Sequence, residues 1–241
     1  MLRRIWAEER QIVIRNLKKM KKAWLHKDKV DEIIYPVRLF QKKLEDGTVM
    51  IFLEVIDVIS GKVIAIYDFD MIFEIDNPEV KKWLKSYVPR FSKKLEEVSV
   101  EKLRAQLIAG MEAGEGIPEL LRRVYETYDD WGFRRAEKIA RTECLRASNK
   151  AALETYRQSG VVTEKIWITY FDKRTCPHCE RLDGDIISID KDFVEYGTTM
   201  ITQVEEDGKL TTHKLDINYE HIESPPLHAQ CRCAVGAYIE D

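Results

Sequence analysis

Four of the five cysteines in this chain form two tight pairs, Cys176-Pro-His-Cys179 and Cys231-Arg-Cys233, and His228 precedes the second pair by three residues. This pattern constrains the fold more than any other feature, because it asks two segments far apart in the chain to meet at one point. A Cys-x-x-Cys knuckle lets two thiolates converge on one ion. A second pair from a distant loop then completes a tetrahedron of sulfur and nitrogen ligands, the geometry of structural Zn²⁺. Five donors, Cys176, Cys179, His228, Cys231 and Cys233, compete for four places. Cys176 and Cys179 are the firmest pair. In an extended Cys-x-Cys both thiols share a face, so the set is either four thiolates or three thiolates and one imidazole. His178, inside the knuckle, is less well placed, and Arg174 and Arg232 flank the site and would offset surplus thiolate charge. A filled coordination sphere implies a structural ion, since a catalytic zinc keeps an open position. One tightly bound zinc per chain is expected, worth on the order of 10 kcal/mol to folding.

A different use of the first pair is a redox dithiol of the thioredoxin-fold kind, with its leading thiol at a helix N-terminus. The segment continues Glu180-Arg-Leu-Asp-Gly184, read here as a turn that breaks any such helix, and the second cysteine cluster has no place in that scheme. Zinc is the better reading. An odd cysteine count also argues against a disulfide framework. The N-terminus, Met-Leu-Arg-Arg-Ile-Trp-Ala-Glu-Glu-Arg, lacks the apolar stretch of a secretory signal, so an intracellular origin is expected. The longest unbroken apolar runs, Val49–Leu53 and Val63–Tyr67, are far shorter than a membrane span.

The net charge of -3 hides a polarised chain. Residues 1–31 carry ten Lys/Arg against four Asp/Glu, whereas residues 161–241 carry eight against sixteen. A basic head of this kind is either a solvated helix face or a surface for nucleic acid or another partner.

Along the chain, residues 3–31 place Ile5, Ile12, Leu17, Met20 and Trp24 at loosely helical spacing, and Pro36 and Asp46-Gly47 punctuate the next stretch. Met50–Phe73, rich in Ile, Val and Phe and split by Ser60-Gly61, reads either as a β-hairpin or as a helix broken near Gly61. Asp76-Asn-Pro-Glu79 marks a helix start, with Trp83 and Tyr87 on one inner face. Ser99 is expected to cap a further helix striped by Val100, Leu103, Leu107 and Met111. Pro118 opens the next, with Leu120, Leu121, Val124, Tyr128 and Trp131 on one face and Gly132 at its end.

A long helix over about 133–158 comes next, stopped by Gly160. Ala136, Ile139, Ala140, Cys144, Ala147 and Ala151 fall on one packed small-residue stripe, and Glu143 falls within it. A carboxylate there needs a donor, because an unpaired buried charge is costly. Arg141, or an arginine from another element, is the expected partner in a structural ion pair, which is preferred to the rival reading of Glu143 as a catalytic acid. Beyond it, Lys165–Phe171 reads as a strand, Asp183-Gly184 and Asp207-Gly208 as turns, Met200–Glu205 with Lys209–Leu215 as a hairpin, and Ala234–Ile239 as a last strand. Ser224-Pro-Pro226 makes an extended entry into His228.

These residues form a recognisable order. It runs Ile139-Ala-Arg-Thr-Glu143, Ala147-x-Asn149, Tyr156, Gly160 and Lys165-x-Trp167. It continues through Asp172-x-Arg-Thr-Cys-Pro-x-Cys179-x-x-Leu-Asp-Gly184 to Pro225-Pro-Leu-His228-x-x-Cys-Arg-Cys233. The set resembles the phage Mu protein F-like head morphogenesis family across about residues 136–235, and more weakly through 99–135, with an echo at Phe73–Pro78. The chain departs from the family at Ala229, where Pro is frequent, and in the acidic hairpin of Asp190–Glu223, which looks like a local elaboration.

The expected architecture is α+β, with helical N-terminal and middle regions and a C-terminal β segment stapled by zinc onto the long helix. The expected division is 1–98, a basic helix and mixed region, and 99–241, the head morphogenesis domain with helices over 99–160 and β structure over 161–241. The resemblance implies a minor head protein of a phage or prophage, present in a few copies at the portal vertex and in host cytoplasm during assembly. Its implied partners are portal and other head proteins, with DNA as a further partner for residues 1–31, and neither a membrane nor a small-molecule substrate is expected. No catalytic residue is assigned. The rival readings are a DNA-binding module and a zinc-supported nuclease. The raw material for the nuclease is His178, His213, His221, Asp172 and Asp183, which show no His-Asn-His spacing.

Overall fold

The computed structural model of the chain describes residues 1–20, 26–34, 40–206 and 209–239. It is an α+β protein whose long helices precede two small antiparallel sheets. Among the described residues, no helix is long and apolar enough to cross a membrane. The chain forms two compact units, one from Met1–Ile51 with Lys81–Glu137, the other from Phe52–Val80 with Lys138–Asp241.

The first unit is helical. Helix α1 (Leu2–Lys19) buries Leu2, Ile5, Trp6, Val13, Ile14 and Leu17, a stripe at helical spacing. It ends earlier than the spacing over 3–31 suggests. Met20 is already extended, and Lys18 and Lys19 occupy the last turn, where positive charge suits the helix dipole. After a 3-10 turn at Lys27–Lys29 comes the short α2 (Val30–Ile34). Trp24 and Pro36 lie outside the described residues.

Helix α3 (Gln41–Tyr67) overturns two expectations at once: neither Asp46-Gly47 nor Ser60-Gly61 interrupts it. Leu44, Thr48, Phe52, Ile56, Ser60 and Val63 are buried at steps of three and four, a helical stripe that outweighs the β propensity of the individual residues. At Gly47 a Cβ would meet only the flexible end of the exposed Met1 side chain, which can move aside. Ser60 keeps its hydroxyl satisfied by donating to the Asp57 carbonyl.

Helix α4 (Pro78–Glu112) starts as expected, with the Asn77 carboxamide oxygen accepting from the Glu79 N–H at 2.8 Å. Trp83 and Tyr87 stack along it at 5.5 Å. It then runs unbroken through Ser99. That residue is not a cap; its hydroxyl donates back to the Leu95 carbonyl at 2.8 Å, the alternative open to serine inside a helix. The stripe Val100, Leu103 and Leu107 is buried as expected.

Helix α5 (Ile117–Trp131) buries Leu120, Val124, Thr127, Tyr128 and Trp131. Its aromatic end meets α1, with the Trp131 ring 4.6 Å from Tyr128 and 6.1 Å from Trp6. The Arg135 guanidinium lies over the Trp6 and Trp131 indoles at 5.2 and 5.1 Å.

In the second unit, helix α6 (Phe133–Ser159) stops at Gly160, which adopts φ +68. The packed face of α6 differs from the expected stripe. Ala140 and Cys144 are not buried, and burial concentrates on Thr142, Ala147 and the run Asn149–Tyr156. Ala152, Leu153 and Tyr156 pack with Val63, Val162, Ile189 and Val235. Strand β1 (Glu164–Ile168), shorter than the expected Lys165–Phe171, is central in a sheet ordered β2 (Ile186–Ser188), β1, β5 (Ala234–Tyr238). A six-residue helix α7 (Pro177–Leu182) lies between β1 and β2 in the chain. The expected hairpin is present as β3 (Thr199–Glu206) and β4 (Lys209–Asp216), paired antiparallel along their full length. The Asp207-Gly208 turn lies outside the described residues.

Candidate metal centre

The knuckle is built by strand, turn and helix. After β1 the chain turns at Asp172, whose carboxylate accepts from the Arg174 N–H at 2.7 Å. Cys176 caps α7, its sulfur accepting from the Cys179 N–H at 3.3 Å, with Pro177 in the first turn. The expected break at Glu180-Arg-Leu182 does not occur. Those residues complete α7, and the chain leaves the helix at Asp183, just before Gly184 with φ +80.

The second segment arrives from Pro225-Pro226 and delivers His228, Cys231 and Cys233 to the same point. The His228 Nε2 stands 3.0 Å from the Cys176 sulfur and 3.3 Å from that of Cys179, and the Cys179 and Cys231 sulfurs are 3.8 Å apart. Two three-donor groups result, Cys176–Cys179–His228 and Cys179–Cys231–Cys233, with Cys179 in both. Each of the five expected ligands thus falls in one or both of these groups, which share Cys179, and the cysteines are free thiols. These are the groups of three or more potential ligand atoms found among the described residues.

Either three-donor group could hold a small cation. Two thiolates each about 2.3 Å from one zinc stand about 3.8 Å apart, the separation seen between Cys179 and Cys231. The imidazole contacts lie slightly inside the roughly 3.5 Å edge of a sulfur–nitrogen pair. The Nδ1–H of His228 donates to the Ala229 carbonyl at 2.8 Å, the outer-sphere bond that orients metal-binding histidines, and this directs Nε2 at the thiols.

The electrostatics point the same way. Hydrogen bonds from Cys179 and His228 hold the Cys176 thiol down to about 4, while crowding by Cys176, Cys231 and Cys233 drives Cys179 up. Cys179 draws Cys231 down, but Cys233 and burial push it up on balance to about 11. Hydrogen bonds, first from Cys179, hold Cys233 low. Within one buried cluster, ionising one thiol opposes ionising the next. A divalent cation removes that conflict, because coordination deprotonates thiols outright.

Neutral residues around the cluster, to which the sequence alone assigns no role, fix its position. Thr169 donates to the Cys179 carbonyl at 2.8 Å. From α6, the Asn149 carboxamide donates to the Cys233 carbonyl at 3.2 Å and accepts from the Val235 N–H at 2.9 Å. Thr142 accepts from the Gln230 N–H at 3.1 Å. Both stand in the Ile139–Asn149 segment, and the signal that could find them is a polar residue on an otherwise packed helix face. A second polar cluster ties α6 to the approach of this loop. Lys150 and Arg157 bond to Glu223 at 3.0 and 3.3 Å, and both also pair with Glu154.

The other expected residues have separate places. Glu143 meets Arg146 at 3.5 Å, and Arg146 also pairs with Glu220; Arg141 is exposed. His178 is buried with Nδ1 2.9 Å from the Thr202 hydroxyl, and His213 sits opposite Thr202 on β4. His221 pairs with Asp192, and Asp183 accepts from the Thr169 N–H at 2.7 Å. Asp172 takes both guanidinium nitrogens of Arg232 at 2.5 and 2.6 Å, so Arg232 neutralises a carboxylate rather than the thiols. The residues a nuclease would have drawn on are dispersed among these structural bonds.

No solved structure matches the chain. It is 26% identical over 198 residues to the uncharacterized protein YqbB of Bacillus subtilis (strain 168), a match covering 79% of this chain and 63% of YqbB. The chain thus spans less than two thirds of that relative's length. Residues 101–236, more than half of the chain, match the family described as Phage Mu protein F like protein, and they include both cysteine pairs, His228, Thr142 and Asn149. The chain belongs to the Phage Mu protein F-like family.

Proposed function

We propose that this protein is a minor head protein of a phage or prophage, acting in head morphogenesis at the portal vertex through contacts with the portal and other head proteins. Its role is structural, without chemistry of its own. It works in the host cytoplasm during assembly and remains in the virion. Residues 99–241 form the head morphogenesis region, in line with the family match over 101–236, and residues 1–98 supply a basic partner-binding head.

One structural zinc per chain, held by four of Cys176, Cys179, His228, Cys231 and Cys233, staples the C-terminal β segment to α6. The observation that carries this reading is that all five donors fall in two groups sharing Cys179, within a family whose match contains them. A site with more donors than places and the His228 ring locked by Ala229 suits a closed coordination sphere. Glu143 with Arg141 and Arg146 braces the helix against that segment.

The assembly role is tested in a phage or inducible prophage carrying this gene. Deletion is expected to leave particles without filled heads by electron microscopy, and the protein is expected to co-purify with portal. Normal infectious particles after deletion would refute it.

A further inference from the structure

We infer that this protein pairs with a second copy of itself through the exposed face of α3, the two helices running antiparallel about a twofold axis at Val58. The helix is poor in charge: between Val49 and Tyr67 only Glu54, Asp57 and Lys62 are ionisable acids or bases. Its buried stripe, Phe52, Ile56, Ser60 and Val63, accounts for one side. The opposite side is open and largely apolar, with Met50, Val58 and Ile66 exposed at 66%, 54% and 76%. At about 100° per residue, the exposed Ile51, Val58 and Ala65 run down the middle of this side, and Glu54 and Lys62 flank it symmetrically. A helix apolar all round is normally covered all round, and a contiguous exposed apolar patch marks an interaction surface.

The face is complementary to itself, and this selects the partner. Antiparallel pairing about Val58 sets Glu54 of each copy opposite Lys62 of the other. Parallel pairing in register would set like charges together instead. Neither Glu54 nor Lys62 has an ion-pair partner within its own chain among the described residues. The same antiparallel register sets Ile51 opposite Ala65, Val55 opposite Gly61 and Met50 opposite Ile66, so each larger residue in the middle meets a small one. Gly61 has no packing reason within its own chain, since nothing lies within 4 Å of where its Cβ would be. A glycine inside a helix costs stability; here it leaves room for Val55 of the second copy. A lone helix pair lies at the small end of specific interfaces, below about 1,200 Å² in total, so the dimer is expected to form in the micromolar range. The inference rests on α3 alone, and neither the metal site nor the assembly role enters it.

The test is sedimentation velocity of the full chain over a concentration series, beside the variants Val58→Glu, Glu54→Lys and Lys62→Glu. All three positions are exposed, so the circular dichroism spectrum of each variant should match the wild type's. The wild type should pass from monomer to dimer as concentration rises. Val58→Glu sets two carboxylates against each other at the axis and should weaken dimerisation about a hundredfold. Glu54→Lys and Lys62→Glu each set like charges opposite at two places and should weaken it about tenfold. Mixed together, these last two should pair as a heterodimer at close to wild-type strength, because each then supplies the charge that the other lacks. The inference is overturned if the wild type stays monomeric at the highest concentration reached, which would leave the face to a different protein. It is equally overturned if Val58→Glu dimerises like the wild type, or if mixing the two charge variants restores nothing.

Discussion

The two units of this chain solve the same problem by different means. The helical unit buries long apolar stripes, Ile5, Trp6, Val13 and Leu17 on α1 and Leu120, Val124, Tyr128 and Trp131 on α5. Its stability is of the kind that accumulates with apolar area removed from water. The second unit has strands of three to eight residues in two separate small sheets. Of the ten buried residues in the core beneath its hairpin, three are Cys179, Cys231 and Cys233. On the proposed reading, a region whose core is partly thiol depends on the metal that those thiols hold. One unit should therefore answer to mutation of apolar side chains and to pH, the other to metal.

The largest expected effect is on the second unit. Cys179 belongs to both donor groups, so Cys179→Ser should be the most damaging of the ligand substitutions, costing on the order of 10 kcal/mol if the zinc site is lost. Hydrogen exchange should show β1 and β5 opening while α1 and α5 keep their protection. Equal loss in both units would remove the contrast.

Next in size is pH, and it concerns the helical unit. Glu9 is buried on α1, and burial first, then the nearby Glu96, push its carboxyl up to about 8 despite Arg135. Because the folded value lies above the unfolded one, the contribution to stability is fully present below about 4.5 and is lost as pH rises through about 8. The loss should be a few kcal/mol, on the order set by that shift. Glu9→Gln should flatten the dependence in chemical denaturation of α1 and α5, and an unchanged pH profile would show that Glu9 is not its source.

Within the second unit, Asn149→Ala separates loop anchoring from metal binding. It leaves the Cys233 carbonyl and the Val235 N–H without their partners, at a cost of about 2–4 kcal/mol, and it leaves every thiol available to the metal. Denaturation curves at saturating zinc would read it, and a stability equal to the wild type's would mean that zinc alone positions the loop. A smaller effect, of opposite sign, is expected at Gly61, which sits inside α3 with open space where a Cβ would go. Gly61→Ala should stabilise the chain by about 0.5–1 kcal/mol. Destabilisation there would mean that the segment is not the continuous helix described.

The cysteine and histidine cluster is the most legible part of the sequence, because ligand chemistry restricts residue type and spacing tightly. The hairpin and β5 were legible too, through turn residues and alternation. Helix boundaries were harder. Ser99 looks like a cap, yet its hydroxyl can be satisfied from within a helix, and local sequence does not distinguish the two uses. Gly47 looks like a turn, although it sits inside the continuous helix α3, whose buried stripe outweighs the helix cost of one glycine. Thr142 and Asn149 were hard to read as well. The charges of Arg141 and Glu143 are conspicuous in the sequence, while the neutral residues beside them hold the loop, because only the fold shows which backbone groups need partners. The exposed position of Cys144 likewise follows from which face of α6 receives the sheet.

Whether zinc holds the second unit together is decided by metal content. The full chain, purified without chelator, is subjected to elemental analysis against protein concentration, and then to a thermal melt with and without chelator. One zinc per chain is expected, with loss of the second unit's transition on chelation and the same loss in Cys176→Ser. Metal-free protein whose melt is unchanged by Cys176→Ser would refute the zinc staple.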